Sequence, residues 1–261
     1  MKNSIIILNA DTPKIPVTTV LFDFDGTIST LRNGWEAVME PLMVELLGED
    51  SREIVCAYIN ESTGIQTIHQ MKWLASEVKR LNGTAEDPWV YKAEYNRRLM
   101  ENVQKRLESL EEGSAKREDY LMAGSEALLR ALKERGVDLF VASGTDDPDV
   151  KHEVSVLGLD KYFTRVAGAP LGAEDCSKEG VIRDLLSLGV SGERLAVVGD
   201  GKVEIAIGRE NGARTLGLAS DEDAQQGLNA IKLERLVKAG ADIIAGDFIQ
   251  LESLMKFFMG S

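Results

Sequence analysis

Residues 18–30 read TTVLFDFDGTIST: an apolar run, Val20-Leu21-Phe22, that ends in two aspartates with a single phenylalanine between them. A short apolar run closed by Gly26-Thr27 has the pattern of a buried strand. On an extended chain Asp23 and Asp25 point to the same side, where their charges repel. That repulsion asks for a compensating partner or a chemical use.

On the C-terminal side of this stretch the rhythm changes. From about residue 33 to residue 118 apolar residues recur at helical spacing, with no strong strand pattern. One helix is expected over 35–47, ended by Gly48, and a second through Ile65, Met71, Leu74 and Val78, stopping near Asn82-Gly83. A third runs from Pro88, a good first-turn residue, to Leu110. Beyond Gly124 short apolar runs alternate with helical patterns. The runs are VDLFVAS (137–143), a segment around 162–167, RLAVVGD (194–200), ARTLGLA (213–219) and ADIIAG (241–246). The helices are expected at 125–135, 147–157, 178–188, 203–211, 228–239 and 248–258. Strands alternating with helices imply a parallel sheet covered on both faces. The expected fold class is therefore α/β: a doubly wound parallel sheet over residues 1–32 and 119–261, with VLFDFD as its first strand, and an all-helical cap inserted over residues 33–118.

Of the 261 residues 44% are hydrophobic and 28% charged, ordinary for a globular chain with one large domain or two smaller ones. A formal net charge of -13 argues against nucleic acid or an anionic membrane surface as a general partner. An anionic substrate then needs a local cluster of cations or a metal. The N-terminal MKNSIIILNAD carries an apolar run too short to span a membrane and reads as a first strand or an ordered leader. Cys56 and Cys176 imply no disulfide framework and read as buried thiols. A soluble, cytoplasmic protein is expected.

In open parallel sheets ligands bind outside the carboxyl ends of the strands. Those ends carry Asp23 and Asp25, Ser143-Gly144-Thr145, and Gly199-Asp200. Lys178 opens a later helix, directly after Ser177, whose residue type suits an N-cap. A cation there opposes the helix dipole at a cost of about 0.3–1 kcal/mol, which makes sense when the ammonium reaches an anion. Taken alone, Lys178 would read as a solvated surface lysine. Glu204, one helical turn beyond Asp200, adds further negative charge. With no histidine or thiolate nearby, such a carboxylate cluster calls for protons or a hard cation, Mg2+ rather than zinc.

DFDGT (23–27), Ser143 ending a strand, Lys178 opening a helix and GDGKVE (199–204) together resemble the four ordered motifs of the haloacid dehalogenase-like superfamily, over nearly the whole chain. The phosphoglycolate-phosphatase-like branch, with its helical cap, is the part of the family that the chain resembles. The resemblance implies a Rossmann-like core and a Mg2+-dependent phosphatase acting on a small phosphorylated metabolite, sugar phosphates included. It implies Asp23 as a nucleophile that forms an aspartyl-phosphate, and Asp25 as the acid that protonates the leaving oxygen and then activates water. Asp23, Asp200 and the carbonyl of Asp25 would hold Mg2+, with Glu204 acting directly or through water, at a position where the family more often has Asp. Thr27, Ser143, the Gly144 amide and Lys178 would bind the phosphoryl oxygens. A halide leaves without a proton, so the second aspartate argues for an oxygen leaving group.

Three rivals share parts of the pattern. A receiver domain ends a later strand, not the first, in its phosphoryl-accepting aspartate and lacks a cap of this size. A phosphomutase would return the phosphoryl group to a sugar, and a non-catalytic phospholigand-binding protein would keep the motifs without turnover; both stay open. GDGK (199–202) lacks the GxxxxGK[ST] spacing of a P-loop. Substrate choice is expected in the cap and just after the first strand. There Arg32 would suit a second anionic group, or lie on the surface, and Trp35 could touch the leaving group. The polar residues of GIQTIHQMKW (64–73) read as a solvated helix face, Trp73, Trp89, Tyr91 and Tyr95 as packing residues, and His152 as a surface or packing histidine.

Overall fold

The computed structural model describes residues 5–172, 174 and 177–260, of Ser177 the backbone alone. The strands are β1 (Ile6–Ile7), β2 (Thr19–Phe22), β3 (Asp138–Asp146), β4 (Arg165–Ala169), β5 (Leu195–Gly199), β6 (Arg214–Leu218) and β7 (Ile243–Ala245). They form one sheet in the order β1-β7-β6-β5-β2-β3-β4. β2 lies between β3 and β5, Thr19 opposite Asp138 and Leu195, Phe22 opposite Val141 and Val198. The chain moves outward from β2 to β3 and β4, then returns across β2 to build β5, β6 and β7. The strand that leads to Asp23 thus sits where the strand order reverses, the place where such sheets leave a crevice.

The helices are α1 (Glu36–Leu47), α2 (Arg52–Glu61), α3 (Thr67–Asn82), α4 (Pro88–Glu111), α5 (Ser125–Glu134), α6 (Asp147–Val156), α7 (Ser177–Ser187), α8 (Lys202–Glu210), α9 (Ala230–Ala239) and α10 (Leu251–Met259). Alternation along β2 feeds both faces of the sheet. Val20 and Phe22 join a core with Leu128 of α5, Val154 of α6 and Phe258 of α10. Leu21 packs in a second core with Val181, Ile182 and Leu185 of α7. Each of these fully covered side chains contributes about 1.5–3 kcal/mol relative to leaving it in water.

Between β2 and α5 the regular structure is helical. In α4, Tyr91, Tyr95, Leu99, Val103 and Leu107 recur every fourth residue and are all buried. Its start follows from Pro88 in the first turn and from Asp87, whose side chain accepts from the Trp89 amide at 2.9 Å. α2 was not expected: its buried stripe is only Val55 and Ile59, while Ile54 is exposed. Cys56, read as buried, lies off that stripe and is exposed; Cys176 lies outside the described residues.

Two further differences concern strands. The apolar run near the N-terminus becomes β1, an edge strand antiparallel to β7, with Ile6 opposite Ile244. β3 runs beyond its apolar run to Asp146, and its register with β4 shifts between Ala142 and Asp146. Gly168 on β4 permits that approach, since a Cβ there would lie 2.6 Å from the Thr145 carbonyl oxygen. The shift sets Ser143, Gly144 and Thr145 on the rim beside Asp25.

Candidate active site

Asp23 continues the ladder of β2, its amide donating to Val198 O at 2.8 Å. The chain then turns tightly, with Ile28 and Ser29 amides both donating to Phe24 O at 2.9 Å. Gly26, at φ +69°, makes the turn possible, and a Cβ there would stand 2.6 Å from Asp200 Oδ2. Asp25 is held from β3: Ser143 Oγ and Thr145 Oγ1 donate to its Oδ2 at 3.0 and 2.8 Å. Arg32 Nε stands 3.9 Å from Oδ1, an oxygen with no hydrogen bond.

Lys178, in the first turn of α7, reaches the anions that its position suggested. Its Nζ lies 3.2 Å from Asp23 Oδ1 and 2.8 Å from Glu204 Oε2. The proposed cap at Ser177 lies outside the described side chains. Burial pushes the Asp23 carboxyl well above the usual carboxylate range; Lys178 opposes that rise, and Glu204, Asp200 and Asp25 add to it. Burial pulls Lys178 down, yet the Asp23 and Glu204 carboxylates outweigh it and hold the ammonium above its ordinary value. Burial pushes the Asp200 carboxyl up too, but Lys232, with Arg235 and Lys178, outweighs the desolvation and its carboxyl is lowered.

One oxygen each from Asp23, Asp200 and Glu204 come within 4.8 Å of one another, all three residues buried. An all-carboxylate donor set suits a hard divalent cation. The local backbone is shaped around it: Glu204 Oε1 accepts from the Gly201 amide at 2.5 Å, and a Cβ on Gly201 would press on both Glu204 oxygens at 2.9 Å. The residues therefore fit a cation such as Mg2+.

These groups open on a cleft of about 130 Å3 between the sheet rim and the α2–α3 loop, α3 and α4. Asp23, Asp25, Gly144, Lys178 and Asp200 line it, and so do Arg32 and Trp35. Ser143 and Glu204 stand behind that lining, bonded to Asp25 and Lys178. Thr27 is fully buried, away from the cleft, its hydroxyl without a hydrogen bond. Arg32 is not on the surface: its guanidinium donates to Glu153 Oε1 at 2.9 and 2.7 Å. The solvated-face reading of residues 64–73 needs correction, because Thr67 and Gln70 line the cleft and Gln66 and Gln70 are buried; His69 and Lys72 are exposed. Three of the four aromatic residues pack as expected, Trp73 stacking on Tyr58 at 3.9 Å and Tyr91 and Tyr95 buried, though Tyr95 also faces the cleft; Trp89 is half-buried, with the Lys92 ammonium 5.4 Å from its ring. His152 is half exposed, 4.0 Å from Glu111.

Sequence reasoning missed several groups. Lys92 of α4 meets Asp146 at 2.6 Å, and Asn96 donates to the same carboxylate at 3.0 Å. Lys232 of α9 meets Asp200 at 2.7 Å and Glu222 at 2.6 Å. Lys232 had a usable signal, the one that singled out Lys178: a lysine in the first turn of a helix.

The sequence profile of the haloacid dehalogenase-like hydrolases matches residues 17–212. No curated protein sequence matches the chain. Among solved structures, a predicted phosphatase from Clostridium acetobutylicum aligns at 21% identity over 95% of this chain and 100% of its own, with a TM-score of 0.63. A predicted phosphoglycolate phosphatase from Haemophilus somnus 129pt aligns at 16% identity over 93% and 98%, TM-score 0.62. A β-phosphoglucomutase from Clostridium difficile aligns at 16% identity over 93% and 97%, TM-score 0.66. With the ordered motifs gathered on one rim and the profile covering most of the chain, this protein belongs to the haloacid dehalogenase-like hydrolases.

Proposed function

We propose that the chain is a Mg2+-dependent phosphatase that hydrolyses a small phosphorylated metabolite through an aspartyl-phosphate on Asp23. The observation that carries this reading is the pairing of Asp23, 3.2 Å from the buried Lys178 ammonium, with a second carboxylate, Asp25, held by two hydroxyls from the next strand. An Asp23 oxygen attacks phosphorus and the ester bond breaks; Asp25 gives its proton to the departing alcohol oxygen. Asp25 then takes a proton from water, whose oxygen attacks the phosphorus of the aspartyl-phosphate and frees Asp23. Lys178 and the Gly144 amide, both on the cleft, bind phosphoryl oxygens, with Ser143 holding Asp25 in line. Thr27 serves the turn that presents the two aspartates. When bound, Mg2+ would be held by Asp23 and Asp200, with Glu204 and the Asp25 carbonyl beside them, and would offset the charge between carboxylate and phosphate.

Residues 33–118 act as a cap over the core formed by residues 1–32 and 119–261. Trp35, Thr67 and Gln70, which line the cleft, would face the leaving group. No helix among the described residues is long and apolar enough to cross a membrane. An exposed Cys56 thiol suits the reducing cytoplasm. A mutase would use the same aspartyl-phosphate and hand it to a sugar hydroxyl. The test is a panel of phosphomonoesters incubated with Mg2+ or with chelator, reading inorganic phosphate. Release that requires Mg2+ supports the phosphatase, isomerised sugar phosphate without free phosphate selects the mutase, and no turnover of any member contradicts both.

A further inference from the structure

Lys232 is a nearly buried cation that the proposed chemistry leaves without a role. It stands in the first turn of α9, where Asn229 accepts from the Ile231 and Lys232 amides and fixes the start of the helix. Its Nζ lies 2.7 Å from Asp200 Oδ2, 2.6 Å from Glu222 Oε1 and 3.1 Å from Ser220 Oγ. The Ser220 hydroxyl donates in turn to the Gly26 carbonyl at 2.7 Å, which ties this cluster to the turn after Asp23. One helical turn along α9, Arg235 donates to the Asp200 carbonyl at 3.1 Å. α9 therefore grips Asp200 by its side chain and by its main chain. The three ionic side chains are only 11%, 12% and 14% exposed, so water does little to screen them. Removing a charge from such a group leaves its partners uncompensated.

We propose that Lys232 is a positioning residue that works as an internal counter-ion of the cation site. It keeps Asp200 and Glu222 assembled before a divalent cation arrives, and its own charge weakens the hold on that cation. The inference rests on the reading of Asp23, Asp200 and Glu204 as cation ligands. The electrostatics fix the direction of each effect. A unit charge and a divalent cation a few ångströms apart repel enough, even at the screening of bulk water, to change affinity about tenfold. Lys232→Met should therefore tighten Mg2+ binding by about tenfold or more while destabilising the metal-free protein. Glu222→Gln acts in the opposite sense: Lys232 then weighs on Asp200 alone, and Mg2+ binding weakens.

The experiment uses the full chain, with Mg2+ as the probe, and reads thermal unfolding and calorimetric titration. Lys232→Met is expected to lower Tm without Mg2+, to show a larger Mg2+-induced rise in Tm than wild type, and to have the lower Kd. Glu222→Gln is expected to show a smaller rise and a higher Kd. A lysine that only packs would lower Tm equally with and without Mg2+ and leave Kd unchanged; that result overturns the inference, as does an unaltered metal-free Tm. If Lys232→Met does not fold, Glu222→Gln decides alone, and unchanged or tighter Mg2+ binding overturns the inference. Absence of any Mg2+ response in wild type is a different failure. It removes the cation reading itself and the counter-ion role with it.

Discussion

Asp23 and Asp25 share a strand end but live in different surroundings. Asp23 faces a buried ammonium and two further carboxylates, whereas Asp25 takes two hydroxyl donors through one oxygen. Replacing Asp23 by Asn keeps its size and removes its nucleophilicity, so turnover should fall by about 10³-fold or more while the unfolding transition persists; phosphate release and circular dichroism check both halves. Glu153 carries a second prediction. Burial pushes its carboxyl from 4.5 up to about 7 although Arg32 opposes the rise. Between those values the native state keeps a proton that the unfolded chain has lost, so stability falls as pH rises through the window. The shift corresponds to about 3 kcal/mol. Glu153→Gln should flatten that part of the stability–pH curve, read by chemical denaturation; Glu222, also pushed to about 7 by burial, leaves some slope behind. The two aspartates were legible because they follow directly on a closed apolar run, β2, whose carboxyl end opens on the crevice. Arg32 and Glu153 were not, because 121 residues separate partners that only the folded chain brings together.

At the scale of elements, periodicity located the long helices and the central strands well. α4 announced itself through Pro88 and a buried residue every fourth position, and β2 through a closed apolar run. Where a stripe narrows to two residues, as in α2, periodicity has too little to work with. β3 shows another limit. Its last residues are polar, and they are strand because they bind Asp25 and follow β4, not because of their own pattern. The first turn of α4 gives a clean test. Asp87→Ala removes the acceptor of the Trp89 amide and should cost about 1 kcal/mol in equilibrium unfolding, with no change in Mg2+ response. A loss of cation affinity there would contradict the separation of this helix start from the site.

Across the whole molecule, the helical segment is tied to the sheet rim by polar contacts that sequence could not pair. Lys72 of α3 meets Glu174, and Lys92 and Asn96 of α4 both engage Asp146. Lys92 and Asp146 are each 11% exposed, so Asp146→Ala leaves a nearly buried ammonium unmatched and should cost a few kcal/mol. Lys92→Met combined with Asp146→Leu should recover most of that loss, which denaturation of the three variants will read. A net charge of -13 makes the pairing logic of the rim more telling, since cations there are drawn from a chain with few to spare. All of this surrounds the step we propose, the transfer of a phosphoryl group to Asp23. The most direct test is an acid-quenched turnover of p-nitrophenyl phosphate by Asp25→Asn, followed by peptide mass spectrometry. That leaving group needs no proton, so the first step survives and the second stalls. One phosphoryl group is expected on the peptide containing Asp23, and none in the Asp23→Asn, Asp25→Asn double variant. A phosphoryl group on another residue, or phosphate release by the double variant at the rate of Asp25→Asn, would contradict it.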